Sequence, residues 1–212
     1  MFGLSENNQF IAYECRYVIY GDKAWDDLPE NSLVDVVTGG EVREPTKVKA
    51  CWDERALYVR FDCTDNHCVS DFKNRKDPLY EQDVVEVFID EEGLGNKYME
   101  IVLSPNNVVY DVFITHKPRA DRNQPVFDID REWTVEGLET SVEVGELKRT
   151  YTLSIPFSNF GKAPREDVEW KINFFRIDDD PEGNRHFQAW SPSGRIQFHL
   201  SEFFGTLRFV KV

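Results

Sequence analysis

Basic charge, long apolar runs and cysteine are all scarce in this sequence, and each shortage excludes something. Only 25 Lys and Arg stand against 39 Asp and Glu, a formal net charge of −14, so a phosphate backbone is repelled over most of the surface and nucleic acid is excluded as a partner class. No apolar run approaches the roughly 20 residues that a membrane-spanning helix needs. The first residues, MFGLSENNQFIAYE, show neither a basic n-region nor an uninterrupted apolar h-region, so no secretory leader is legible and the expected location is cytoplasmic. The four cysteines, Cys15, Cys51, Cys63 and Cys68, permit three pairings, but a cytosolic chain of this size requires none of them, and free thiols are expected. Cys63 and Cys68 with His67 between them form only a loose ligand pair, and no second pair follows, which argues against zinc. Nucleophile elbow, Ser-His-Asp order and phosphate loop are likewise missing.

Aromatic and strand-forming residues fill the space left. With 16 Phe and 8 Tyr but 2 Met, and with Gly and Pro at regular intervals, the composition favours strands over helices. Period-2 patterns place strands at 11–20, 47–52, 56–63, 84–89, 98–103, 108–113, 141–144, 151–155, 168–177 and 206–210. Short links such as Asp53-Glu54 and Pro105-Asn106-Asn107 suit hairpins. The expectation is therefore an all-β antiparallel β-sandwich, jelly-roll-like, of about ten strands with little helix, in a single domain over residues 1–212. Segment 116–131 reads as a long surface loop, 178–185 as a tight acidic turn, and Pro156–Phe160 as at most one helical turn.

Two stretches stand out. In YEQDVVEVFID, Tyr80 to Asp90, the residues Val85, Val87 and Ile89 share one face, while Glu81, Asp83 and Glu86 gather carboxylates near the start of the strand. In AWSPSGRIQFHLSEFFG, Ala189 to Gly205, Trp190 adjoins a Ser-Pro loop from which an indole could be presented to solvent. Together with KYMEIVLSPNNVVYDVF, YTLSIPF and WKINFFRID, in that order and spacing, these stretches resemble a family 9 carbohydrate-binding module over most of the chain from Trp52 onward. The resemblance implies a β-sandwich that binds sugars without cleaving them, structural calcium, and attachment to a polysaccharide-degrading enzyme.

A sugar presents hydroxyls at its edges and C–H groups on its faces, so its site combines an aromatic platform with groups that make paired hydrogen bonds. Trp190 is the candidate platform, and the resemblance makes it one jaw of a clamp. The second tryptophan that the family carries before its acidic strand is absent from DFKNRKDPLYEQD, where Tyr80 or Phe72 would have to substitute. Glu81 is the candidate carboxylate. Arg176 is either a forked donor to hydroxyls or a salt-bridge partner, and Asn173, Glu100 and Ser104 are secondary contacts. For calcium, the acidic turns at Asp90 and Asp178 offer oxygens. The expected function is a stand-alone module that recognises a mono- or oligosaccharide, with a reducing end as one candidate point of recognition. An accessory protein of the same fold with a depleted sugar site is the alternative. A weaker alternative is a glycoside hydrolase: Glu81 and Glu86 fall on opposite faces, but Glu81 and Asp83 share one, about 7 Å apart from the rise per residue, within reach of an inverting pair.

Overall fold

The structure, a computed structural model, describes residues 11–21, 23–116 and 127–211. It contains fourteen strands: β1 Ala12–Tyr17, β2 Asn31–Ser32, β3 Val34–Asp35, β4 Thr46–Trp52, β5 Ala56–Thr64, β6 Val84–Asp90, β7 Lys97–Leu103, β8 Val109–His116, β9 Phe127–Asp130, β10 Glu139–Val144, β11 Lys148–Pro156, β12 Glu169–Asp179, β13 Arg185–Ala189 and β14 Gly205–Val210. Helical content among the described residues is three single 3-10 turns, Leu79–Glu81, Phe157–Asn159 and Ser201–Phe203. The strands run in the order β10-β11-β5-β4-β1-β14-β12-β6-β7-β8-β9, with β13 alongside β12.

This ribbon folds into two facing layers. Alternation in β6 sends Val85, Val87 and Ile89 inward, where with Met99, Ile101, Leu103, Phe174 and Phe209 they meet Val59, Phe61 and Leu153 of the other layer in one continuous core. The opposite face of β6 is also covered, because Val84 and Phe88 pack with Tyr98, Val102, Tyr110, Phe175, Ile177, Leu79 and Phe204 in a second cluster. Burial of every residue of β6 marks it as a central strand with apolar cover on both sides.

All ten strands expected from periodicity are present, and the four others are short or flank turns. β9 falls within the segment read from composition as a long loop, and β13 begins at the last residue of the expected acidic turn; residues 117–126 of that long loop lie outside the described residues. One expectation needs correcting. β1 pairs in parallel with both β14 and β4, so the sheet is not wholly antiparallel. Local alternation carries no information on direction, which here is set by contacts between distant segments. The β7–β8 hairpin closes through Asn107 at φ 58°, a left-handed conformation that Asn tolerates better than most residues.

Candidate functional site

The outer face of the β6–β7–β8–β12 layer carries the site. Glu86 lies opposite Val102 and Phe88 opposite Glu100, so Glu86 and Glu100 are diagonal neighbours on one face, about 7–8 Å apart at the backbone. A cavity of about 350 Å³ opens above them, walled by Tyr80, Tyr110, Phe187, Phe198, Ile129 and Ile196, with Arg131, Gln197 and His199 completing the lining. The polar floor is deeply set: Glu86 is 2% and Glu100 5% exposed. Among the described residues no group donates a hydrogen bond to Glu86, and the closest ionisable partner of Glu100 is His199 Nε2 at 4.0 Å.

Neighbouring elements hold the walls. Leu79 is buried and fixes the 3-10 turn that presents Tyr80. Arg185, paired with Asp179, donates to the backbone carbonyls of Tyr80 and Glu81. Tyr80 meets Tyr110 edge to face at 5.5 Å, and Phe198 stacks on Phe175 at 4.1 Å. Behind the floor, the fully buried Asp111 accepts from Arg75 at 2.5 Å, from Thr134 Oγ1 at 3.0 Å and from the Val135 N–H at 2.7 Å. Asp111 thereby ties the segment before Tyr80 to the segment after Arg131.

Burial governs the titration of the floor. It pushes Glu100 up to about 8, with the Arg131 charge pulling the other way. Burial, reinforced by the neighbouring Glu100 charge, raises Glu86 well above its ordinary range. Two such carboxyls cannot both ionise in an empty cavity, and the pair retains a proton at neutral pH. His199 is driven down to about 4 by burial and by His116, so it is a neutral imidazole whose Nδ1 lies 3.0 Å from the Tyr98 hydroxyl.

A stability prediction follows. The Glu100 carboxyl ionises at about 8 in the fold but near 4.5 when unfolded. Its contribution is therefore complete below about 4.5 and is lost as pH rises toward 8. Glu100→Gln has no such proton to lose. Its melting temperature should fall less than that of wild type between pH 5 and 8, with a stability difference on the order of a few kcal/mol at the upper end. Parallel melting curves for the two proteins across this window would contradict the buried, protonated carboxyl.

Of the residues expected from sequence, Tyr80 and Glu100 line the cavity and the others do not. Glu81 is exposed on the 3-10 turn, outside the lining. Trp190 is a correction: it is 3% exposed and packs against Tyr13 and Phe174, because β13 continues to Ala189 and carries the indole into the interlayer core before the Ser-Pro loop begins. Of the two roles open to Arg176, the structure shows the salt-bridge one. It faces inward and donates to Asp178, Thr46 Oγ1 and the carbonyls of Glu44 and Thr64, outside the cavity lining. Asn173 exchanges hydrogen bonds with the backbone of Ser191 at 2.8 and 2.9 Å, and Ser104 Oγ caps the β7–β8 turn by accepting from the Val108 N–H. Both are structural.

The carboxylates proposed for calcium do not assemble. Asp90 accepts the backbone N–H groups of Glu92, Gly93 and Gly95, and Asp178 pairs with Arg176 at 2.6 Å. They sit toward opposite ends of the β6–β12 ladder, and no cluster of three or more His, Cys, Asp or Glu suited to a metal occurs among the described residues. These donors do not fit a calcium ion. As for the hydrolase pair, Asp83 is buried and accepts from the N–H groups of Val69 and Asp179, so it does not share a cavity with the exposed Glu81.

Sequence reasoning left Glu86, Tyr110, Phe187, Phe198, Gln197, Arg131 and His199 unassigned. Glu86 was legible in principle, since it alternates with Val85 and Val87 on the strand that carries Phe88. Its proximity to Glu100 requires the β6–β7 register, which periodicity does not supply.

The family model described as carbohydrate family 9 binding domain-like matches residues 19–212. The chain belongs to this family. Among solved structures, this family 9 domain is similar to a carbohydrate binding module family 9 from Caldicellulosiruptor kristjanssonii in complex with cellotriose, with TM-score 0.71, 16% identity and 95% of each chain covered. A complex from the same organism with glucose gives a TM-score of 0.69 at 16% identity, covering 95% of this chain and 96% of the other. Among curated proteins, the family 9 domain is 25% identical over 174 residues, 78% of each chain, to an "Extracellular protein" of Arthroderma benhamiae.

Proposed function

We propose that this domain binds a mono- or oligosaccharide without cleaving it, taking one sugar ring into the cavity above Glu86 and Glu100. The observation that carries the reading is the conjunction, in one cavity of about 350 Å³, of aromatic walls and two buried carboxyls that accept no hydrogen bond from the described residues. Apolar walls suit the C–H face of a pyranose, and carboxyls make paired hydrogen bonds with vicinal hydroxyls. The ligands of the Caldicellulosiruptor modules, glucose and cellotriose, give the class to try first. Service to a polysaccharide-degrading enzyme belongs to the same proposal.

Calorimetric titration with glucose, cellobiose, cellotriose and xylobiose tests it. Heat of binding is expected, and Tyr80→Ala should weaken it at least about tenfold, equivalent to about 1.4 kcal/mol. No heat at millimolar sugar from a cooperatively melting protein would defeat the proposal. Nitrophenyl glycosides should remain uncleaved. A second reading, an accessory protein with a reduced sugar site, draws on the cavity lining, which is Tyr, Phe and Ile where a tryptophan would give a larger platform; silence in the titration would favour it.

A further inference from the structure

The floor of the cavity is more acidic than a neutral sugar needs. Glu86 and Glu100 stand diagonally on adjacent strands, almost wholly buried, aimed into the same space, and without a hydrogen-bonding partner among the described residues. The other charged or titratable side chains lining the cavity are Arg131, exposed at the rim, and the hydroxyls and imidazole of Tyr80, Tyr110 and His199. No lysine lines it.

Resting on the sugar-binding reading above, we propose that the preferred ligand is a sugar bearing a free amine, its ammonium seated between Glu86 and Glu100. A neutral diol leaves the pair's mutual repulsion unrelieved, so one carboxyl must keep its proton. An ammonium supplies three donors and a positive charge, lets both carboxyls ionise, and makes charge-assisted hydrogen bonds roughly twice as strong as neutral ones. The faces of Tyr80, Tyr110 and Phe198 suit the ring that carries the cation. At about 350 Å³ the cavity lies near the small end of ligand pockets, so the amine belongs on the ring that enters. An N-acetylated sugar replaces the cation with a neutral amide and loses the advantage.

The test is calorimetric titration of the full chain with glucosamine, glucose and N-acetylglucosamine at about pH 6.5, below the roughly 7.7–8.0 at which an α-amino group titrates. Glucosamine should bind at least about tenfold tighter than either of the other two, and titration in two buffers of different ionisation enthalpy should reveal protons released from the carboxyl pair. In Glu86→Gln and Glu100→Gln, isosteric changes that remove a buried acid and should fold, the ratio of glucosamine to glucose affinity should fall toward one. Glucose binding as tightly as glucosamine in wild type would overturn this inference and leave sugar binding standing. A glucosamine preference that survives both substitutions would also overturn it. Binding of none of the three sugars would overturn both this and the function proposed above.

Discussion

Trp190→Ala is expected to destabilise the fold by about 3–5 kcal/mol, the usual loss for truncating a buried aromatic, while sugar affinity measured well below the melting transition stays close to wild type. The indole meets Tyr13 edge to face with centroids 6.3 Å apart and tilts against Phe174 at 5.6 Å. Opposite it lies Gly205, where an added Cβ would come within 2.3 and 2.6 Å of ring carbons Cζ3 and Cη2. Glycine is needed there because the ring occupies the volume a side chain would fill, so Gly205→Ala should be destabilising from the opposite direction, by overpacking. Denaturant titration of the two variants checks this. A Trp190→Ala protein with an unchanged unfolding midpoint and lost sugar binding would return the indole to the role of platform.

Arg176→Ala should cost a similar amount, about 3–5 kcal/mol, because it leaves charges buried without their counterion. The guanidinium lies 2.6 Å from Asp178 Oδ1 and 3.6 Å from Glu44 Oε2, and it donates to the Thr64 carbonyl at 2.8 Å. It thus links β12 to the β4 and β5 ends of the opposite layer. Arg176→Lys should restore only part of the loss, since one ammonium cannot reproduce a planar fork serving several acceptors. Burial already raises Asp178 to about 6 with the guanidinium present; without it, the carboxyl should hold its proton at higher pH still, and the deficit of Arg176→Ala should narrow in acid. A variant that melts like wild type but no longer binds sugar would show that Arg176 serves the ligand after all.

These two side chains show what the sequence made legible. Alternation located every long strand and correctly grouped Val85, Val87 and Ile89, because a buried face imposes period 2 wherever it occurs. For Arg176 it showed a shared face with Phe174 and Ile172, and that apolar company pointed inward, toward the salt-bridge role; side-chain chemistry alone left donor to ligand and salt-bridge partner equally open. Trp190 misled for another reason. A Ser-Pro pair marks where a strand stops, but not on which side of the last residue the chain turns outward. Of the candidates, Tyr80, just before the strongly patterned β6, and Glu100, within β7, are the two that line the cavity. Phe187 comes from the short strand β13, and Phe198 and His199 from the irregular segment after it; they converge on the cavity only after β13 has paired with β12, and such convergence leaves no periodic trace. The buried outer face of β6 was hidden likewise, since Phe88 alternating with Glu86 reads as a half-polar surface until the segment from Gln197 to Phe204 is folded over it.

The pairing of β1 with β14 has a kinetic consequence. Ala12 lies beside Thr206, contacts separated by roughly 190 positions, and β1 is the strand through which β4 and β14 join along the ribbon. Closing so long a loop is entropically costly before any contact rewards it, and folds dominated by such pairings fold slowly. During synthesis the segments that form β4 to β13 would emerge while their shared edge is still unfilled, exposing both strand edges and apolar surface to other chains. Final assembly would then be a late event, completed only when β14 has left the ribosome and β1 has been captured between it and β4.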